Sequence, residues 1–278
     1  MTRKEFLKLS SLLLASPFYA SIIKEEKKLM PTLFIGHGSP MNIIRDNSFT
    51  KSLKDITKTF DKPKAIVVIS AHWYENETLI SNSQEQDTIY DFYGFPDELY
   101  EVYYEPKGEP KLAKKVQSLL KDSKLEDRGL DHGAWSVLKH MYPKADIPTF
   151  QISINKNFTY AQHFEFASLL GRLREHGVLI IGSGSVTHNL RLTNRYQKNI
   201  DTWAVNFDNY VKKSFSDKNF FNIINAKYHS DFKISHPFDD HYIPLLYTAG
   251  ASKKEDKIEH FYEEMVSGNL SMRCIKVG

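Results

Sequence analysis

The chain has 278 residues, with 37 Lys+Arg against 34 Asp+Glu and a formal net charge of +3. Hydrophobic residues at 41% and charged residues at 26% exclude wholesale disorder and collagen-like repeats, and the near-balanced charge lacks the basic stripe that nucleic-acid binding requires. A single cysteine, Cys274, excludes an intrachain disulfide and a Cys-rich zinc site, so any metal chemistry falls to the 11 histidines and the carboxylates.

Residues 1–29 stand apart from the rest. A basic start (Arg3, Lys4, Lys8) precedes an apolar stretch from Leu9 to Ala20 that is too short to span a bilayer as a helix. The charged run Lys24-Glu25-Glu26-Lys27-Lys28 follows. This pattern resembles an export leader of the twin-arginine type, with Lys4 where the second arginine would stand and small residues near Ala20 as a cleavage point. The alternative is an amphipathic N-terminal helix, with Met30 as a cytosolic start. Export to the periplasm and a cytoplasmic location are both open on this reading. The segment holds six Lys/Arg and three Glu, so it carries the whole +3 and residues 30–278 are formally neutral.

From Pro31 onward, short apolar runs alternate with amphipathic stretches. β-Branched and aliphatic composition predicts strands over 32–35, 65–69, 149–154 and 178–181. Helical spacing predicts helices over 48–60, 110–120, 160–175, 202–214 and 240–249. Pro110 suits a first helical turn, and Gly177 follows a helix ending near His176. Phe164, Ala167, Leu170, Gly171 and Arg174 share one helical face, with Leu173 beside it. The alternation predicts an α/β class: one domain, residues 30–278, with a central, largely buried sheet flanked by helices. No internal repeat and no low-complexity segment interrupts it. Residues 81–109 are aromatic and rich in Tyr, Asp, Gly and Pro, and a connection of that length predicts a functional loop or lid.

Three histidines fall just after predicted strands, where open α/β sheets bind ligands. His37 lies in Gly36-His37-Gly38-Ser39-Pro40, His72 in Ala71-His72-Trp73-Tyr74-Glu75, and His188 in the run from Gly182 to Asn189. A lone histidine is more often a hydrogen-bonded structural residue, but three at equivalent positions point to a site at the strand C-terminal ends. The 182–185 run also reads as a phosphate-cradling turn, although no lysine follows in the phosphate-loop pattern. A fourth cluster, His236-Pro237-Phe238-Asp239-Asp240-His241, packs two imidazoles and two carboxylates at a predicted helix start. Its acids equally suit helix capping, and its imidazoles equally suit a solvated pair. Imidazoles with a carboxylate suit iron, zinc, copper or nickel with open coordination positions.

Six blocks in order carry a resemblance: GHGSP (36–40), AHWYE (71–75), YDFYGFP (90–96), RGLDHGAW (128–135), GSGSVTHNL (182–190) and HPFDDHYIPLL (236–246). Together they make residues 31–278 similar to the 4,5-DOPA extradiol dioxygenase family, of the class III (LigB-like) extradiol ring-cleavage enzymes. The resemblance implies a single α/β domain with one divalent metal per chain at the strand ends. It implies His37, His72 and His241 as metal ligands, His188 as a fourth ligand or as the acid/base, and His236 as a second acid/base or a substrate contact. Wider class III enzymes use two histidines and a glutamate, so whether Asp240 or His241 completes the triad is open. Tyr90, Asp91, Phe92, Tyr93 and Phe95 are implied as pocket wall or lid, each equally suited to loop packing, with Tyr93, Phe95, His132 and Trp135 as substrate contacts and His132 and Trp135 alternatively orienting a ligand from behind. His140, His163, His176, His229 and His260 have no motif context and read as structural or surface residues.

The implied activity is extradiol cleavage of a DOPA-like catechol with dioxygen, the partners being a small aromatic substrate and dioxygen. No nucleic acid and no stable membrane span are expected. Fe(II) is the expected working ion, because zinc has no redox chemistry, with Zn(II) as an alternative occupant. A zinc-dependent hydrolase, in which the same ligands activate water, and a non-catalytic metal-binding relative are the competing functions.

Overall fold

The computed structural model describes residues 29–278 apart from 121, 195, 197 and 198, so the expected leader lies outside the described residues except for its last position. The aliphatic runs form strands β1 (Thr32–Gly36), β2 (Ala65–Ser70), β3 (Thr149–Gln151) and β4 (Val178–Gly184), and every residue in them is buried. Two later strands, β5 (Ile258–Tyr262) and β6 (Cys274–Val277), complete a six-stranded sheet in the order β3-β2-β4-β1-β6-β5. The first four pair in parallel; β6 runs antiparallel to both β1 and β5.

Alternate side chains feed two hydrophobic cores, one on each face of the sheet. Phe34, Val67 and Ile180 enter one; Leu33, Ile66 and Leu179 enter the other. Burial on both faces is why these strands read as continuous apolar runs rather than as an alternation. The result is the α/β domain, with a mixed sheet between helices, that the sequence predicts.

Helices α1 (Ser48–Ile56), α2 (Pro110–Leu119), α4 (Tyr160–Leu170), α5 (Thr202–Ser216) and α6 (Ile243–Gly250) fall where expected, with α3 (His132–Met141) unpredicted between them. The predicted ends of α1 and α4 tighten into the 3-10 turns Thr57–Thr59 and Gly171–His176. The expected strand over 149–154 breaks after Gln151, because Ser153 and Ile154 turn their N–H groups to Leu79 O and Trp73 O instead of continuing along β2. α3 escapes periodicity because eight of its ten residues are buried, and a helix apolar nearly all round has no stripe to read. No helix among the described residues is long and apolar enough to cross a membrane.

Arg174, assigned by spacing to a helical face, is wholly buried. Its guanidinium donates to Met30 O (2.6 Å), Ala251 O (2.7 Å) and Asp256 Oδ2 (2.6 Å), tying the start of the described chain to the segment after α6.

His163 on α4 is also wholly buried, with Nδ1 3.0 Å from the Tyr247 hydroxyl of α6. Burial pushes its pKa down to about 4. The unfolded chain therefore takes up a proton first as pH falls, near the ordinary histidine value of ~6.5. This group's stabilisation is complete above that value and is lost on the way down to pH 4, at about 1.4 kcal/mol per pH unit. Unfolding free energies from urea titrations at pH 7 and pH 4 are expected to differ by about 3 kcal/mol more in the wild type than in His163→Gln, whose side chain does not titrate.

Candidate metal centre

Register brings the histidines together. Within the sheet, β2, β4 and β1 are neighbours, pairing Ser70 with Ser183 and Gly36 with Gly184 at their C-terminal ends. One residue further on, the backbone N–H of His37 donates to Gly184 O (3.2 Å) and that of Ala71 to Ser183 O (2.9 Å). His37 and His72 thus flank the end of β4. Across it, Nε2 of His72 lies 3.1 Å from Nε2 of His37.

Two further imidazoles reach the same point from helix starts. His132 opens α3, and its ring centroid is 3.9 Å from that of His72. His241 precedes α6; its carbonyl accepts from Ser185 N–H (2.9 Å), and its ring lies 5.3 Å from His37 and 5.0 Å from His72. Gly184 permits this approach, since a Cβ there would meet His241 O at 2.2 Å. Gly133 does the same beside β2, where a Cβ would meet Ser70 Oγ at 2.4 Å. Among the described residues, the group whose ligating atoms all lie within 4.8 Å of one another is His37, His72 and His132.

In each of the four imidazoles Nδ1 faces an oxygen. Ser183 Oγ gives its one proton to Gly133 O (2.6 Å), so it accepts from His37 Nδ1–H (2.9 Å) and leaves Nε2 of His37 as a bare lone pair. Nδ1 of His132 is 2.9 Å, and that of His72 3.6 Å, from Asp91 Oδ2. Nδ1 of His241 is 3.1 Å from Asp240 Oδ1, which also accepts the His241 backbone N–H (2.8 Å). Metal-binding histidines are held with one nitrogen bonded to an oxygen and the other turned to the ion; His37 shows that hydrogen bond through Ser183, and the other three place a carboxylate oxygen beside Nδ1. Two imidazole nitrogens sharing a tetrahedral zinc at ~2.0–2.1 Å stand about 3.3 Å apart, close to the His37–His72 separation. The donor set therefore fits a divalent metal.

Electrostatics agree. Burial, reinforced by the neighbouring imidazoles, pushes His37 and His72 well below the ordinary histidine pKa and keeps them neutral. Burial pushes the Asp240 carboxyl up, but His241 more than reverses it, down to about 2. Behind the site, the buried Asp131 accepts from Ser70 Oγ (2.7 Å) and Gln151 Nε2 (2.7 Å) and caps α3 through Ala134 N–H (3.2 Å). Burial raises its pKa. Ser70 Oγ in turn accepts the backbone N–H of His72 (3.2 Å).

The remaining predicted residues are placed as follows. His188 stacks on His241 with centroids 3.5 Å apart and planes 8° apart; burial first and His241 second push its pKa down to about 2. His236 is buried among Phe207, Phe232 and Tyr242, and its Nε2 is committed to Val186 O (2.8 Å). Trp135 is wholly buried, and its Nε1–H donates to Ile89 O (2.9 Å), which ties the 81–109 loop to α3. Phe95 packs edge-on against Phe92, which lies 5.6 Å from the His132 ring, whereas Tyr93 is 91% exposed. Ser183, Ser70 and Gln151 were not singled out from sequence. Only Ser183 sat inside a quoted motif, and nothing there distinguished it from Ser185.

The family model for the catalytic LigB subunit of aromatic ring-opening dioxygenase matches residues 31–272. The chain is 38% identical over 271 residues to a protein of Escherichia coli (strain K12) named 4,5-DOPA dioxygenase extradiol, covering 95% of this chain and 100% of that one. A protein of Beta vulgaris with the same name is 37% identical over 263 residues, covering 90% and 97%. The crystal structure of an uncharacterized protein from Escherichia coli K12 superposes with a TM-score of 0.79 at 36% identity, covering 90% of this chain and 100% of that one.

Proposed function

The chain belongs to the LigB family of aromatic ring-opening dioxygenases, and on that premise we propose that it opens a DOPA-like catechol by extradiol cleavage with dioxygen. The observation that carries this reading is the convergence of His37, His72, His132 and His241 at three adjacent strand ends, each with Nδ1 facing an oxygen. When bound, the metal supplies Lewis acidity toward both catechol oxygens and, as Fe(II), the electron route to dioxygen that Zn(II) lacks.

His37, His72 and His241 hold that ion in this reading. Asp240 accepts the His241 backbone N–H and stands 3.1 Å from its Nδ1, so in this reading it steadies the imidazole and leaves His241 to complete the triad. His132 stands beside the ligands on the side of the aromatic loop. There Phe92 and Phe95 offer an apolar wall for a substrate ring, Trp135 backs the loop from the core, and Tyr93 lies at the rim. His188, kept neutral by burial and by His241, accepts a proton from a catechol hydroxyl in this reading. His236 keeps only Nδ1 for exchange with the site, because its other nitrogen bonds Val186 O.

Anaerobic loading with Fe(II), followed by air and a panel of catechols, is expected to give oxygen uptake and a yellow ring-opened product. Iron-loaded protein that consumes no oxygen with any catechol would overturn the reading. Turnover that proceeds equally without dioxygen would replace it with a hydrolase.

A further inference from the structure

The 81–109 loop contributes more than an apolar wall. From Tyr90–Pro96 it sends a single carboxylate, Asp91, into the imidazole cluster, and that side chain is only 22% exposed. Oδ1 accepts the backbone N–H of His132 (2.8 Å), and Oδ2 lies 2.9 Å from Nδ1 of the same residue. Oδ2 is also 3.6 Å from Nδ1 of His72. One acid thus faces two imidazoles that arise from different elements, the end of β2 and the start of α3. The loop is seated to deliver it: Ile89 N–H donates to Leu130 O (2.8 Å), and Phe92 packs edge-on against the His132 ring.

We propose that Asp91 is a positioning residue for the metal centre, holding His132 beside the ligands and facing the ligand His72 across 3.6 Å, and so linking the seating of the aromatic loop to the metal site. The proposal rests on the metal-centre reading above. A carboxylate at Nδ1 fixes the tautomer with Nε2 unprotonated, sets the ring plane and raises the basicity of the free nitrogen. An amide in its place keeps one acceptor but loses the charge. It keeps the bond from the His132 backbone while weakening the hold on two rings.

The test uses metal-free full-length protein and the metal alone. Zn(II) affinity is measured by competition with a chromophoric chelator, and Co(II) binding is followed by its visible absorption spectrum. Asp91→Asn is expected to bind Zn(II) ~10–100-fold more weakly and to shift the Co(II) spectrum, while Asp91→Glu, which keeps the charge, recovers part of the affinity. Thr88→Val perturbs the same loop at its side-chain hydrogen bonds with Tyr104, which involve no imidazole, and is expected to bind both metals as the wild type does. Unchanged affinity and spectrum in Asp91→Asn would overturn the proposal, as would an equal loss in Thr88→Val, which would assign the effect to loop seating alone. Failure of the wild type to bind either metal would instead remove the metal-centre reading, and the proposal with it.

Discussion

His37→Ala is expected to abolish oxygen uptake and to weaken divalent-metal binding by more than ~100-fold, the upper end for losing a supporting partner of a ligand. His37 stands at the centre of the cluster: its Nε2 is 3.1 Å from that of His72, and its ring lies within 5.7 Å of those of His72, His132 and His241. The removed ring has no substitute at the end of β1, because Gly38 and Ser39 carry no nitrogen ligand. Ser183→Ala isolates the tautomer contribution. It deletes the hydroxyl that accepts from Nδ1, leaves the imidazole in place, and is expected to cost ~10–100-fold in metal affinity. Competition titration of both variants checks the order. A His37→Ala protein that binds metal as tightly as Ser183→Ala would remove His37 from the ligand set.

The strands that build the site were legible because burial on both faces leaves an aliphatic signature, and His37 and His72 announced themselves by standing one and two residues past such runs. His241 and His188 were legible as motif members, but their face-to-face stacking was not, since it depends on the Ser185 N–H to His241 O bond between segments over fifty residues apart. The entry of His132 into the cluster was hidden for a different reason. It opens a helix buried on nearly every side, so no periodicity marked α3, and nothing local shows that Asp131 is pinned beneath β2 by Ser70 and Gln151. The C-terminal strand β5 carried no aliphatic signature because Ile258–Tyr262 is half-exposed and mixes Glu and His with its apolar residues. The charge excess of the chain belongs to residues 1–29, so residues 30–278 are formally neutral.

His188→Ala is expected to reduce turnover by ~10²–10⁴-fold, the range that a positioned proton acceptor contributes, while leaving Zn(II) affinity within about tenfold of wild type. Its placement separates these two effects. It meets the cluster by stacking face to face on His241, with ring centroids 3.5 Å apart. The loop that carries it is anchored independently: His188 N–H donates to Ser235 O (2.9 Å), and Asn189 Nδ2 donates to Ile234 O (2.7 Å). Removing the ring therefore leaves the backbone path intact. In the proposed reaction the ring, kept uncharged by burial and by His241, accepts a proton from a catechol hydroxyl and adds no positive charge to the site. Binding of an anionic substrate beside it favours the protonated form, so the acceptor becomes stronger as the catechol arrives. Steady-state oxygen uptake and chelator competition on the same preparation separate the roles. Lost turnover with retained affinity assigns His188 to proton transfer, whereas a loss of affinity as large as that of His37→Ala makes it a fourth ligand. Unchanged turnover removes it from the chemistry.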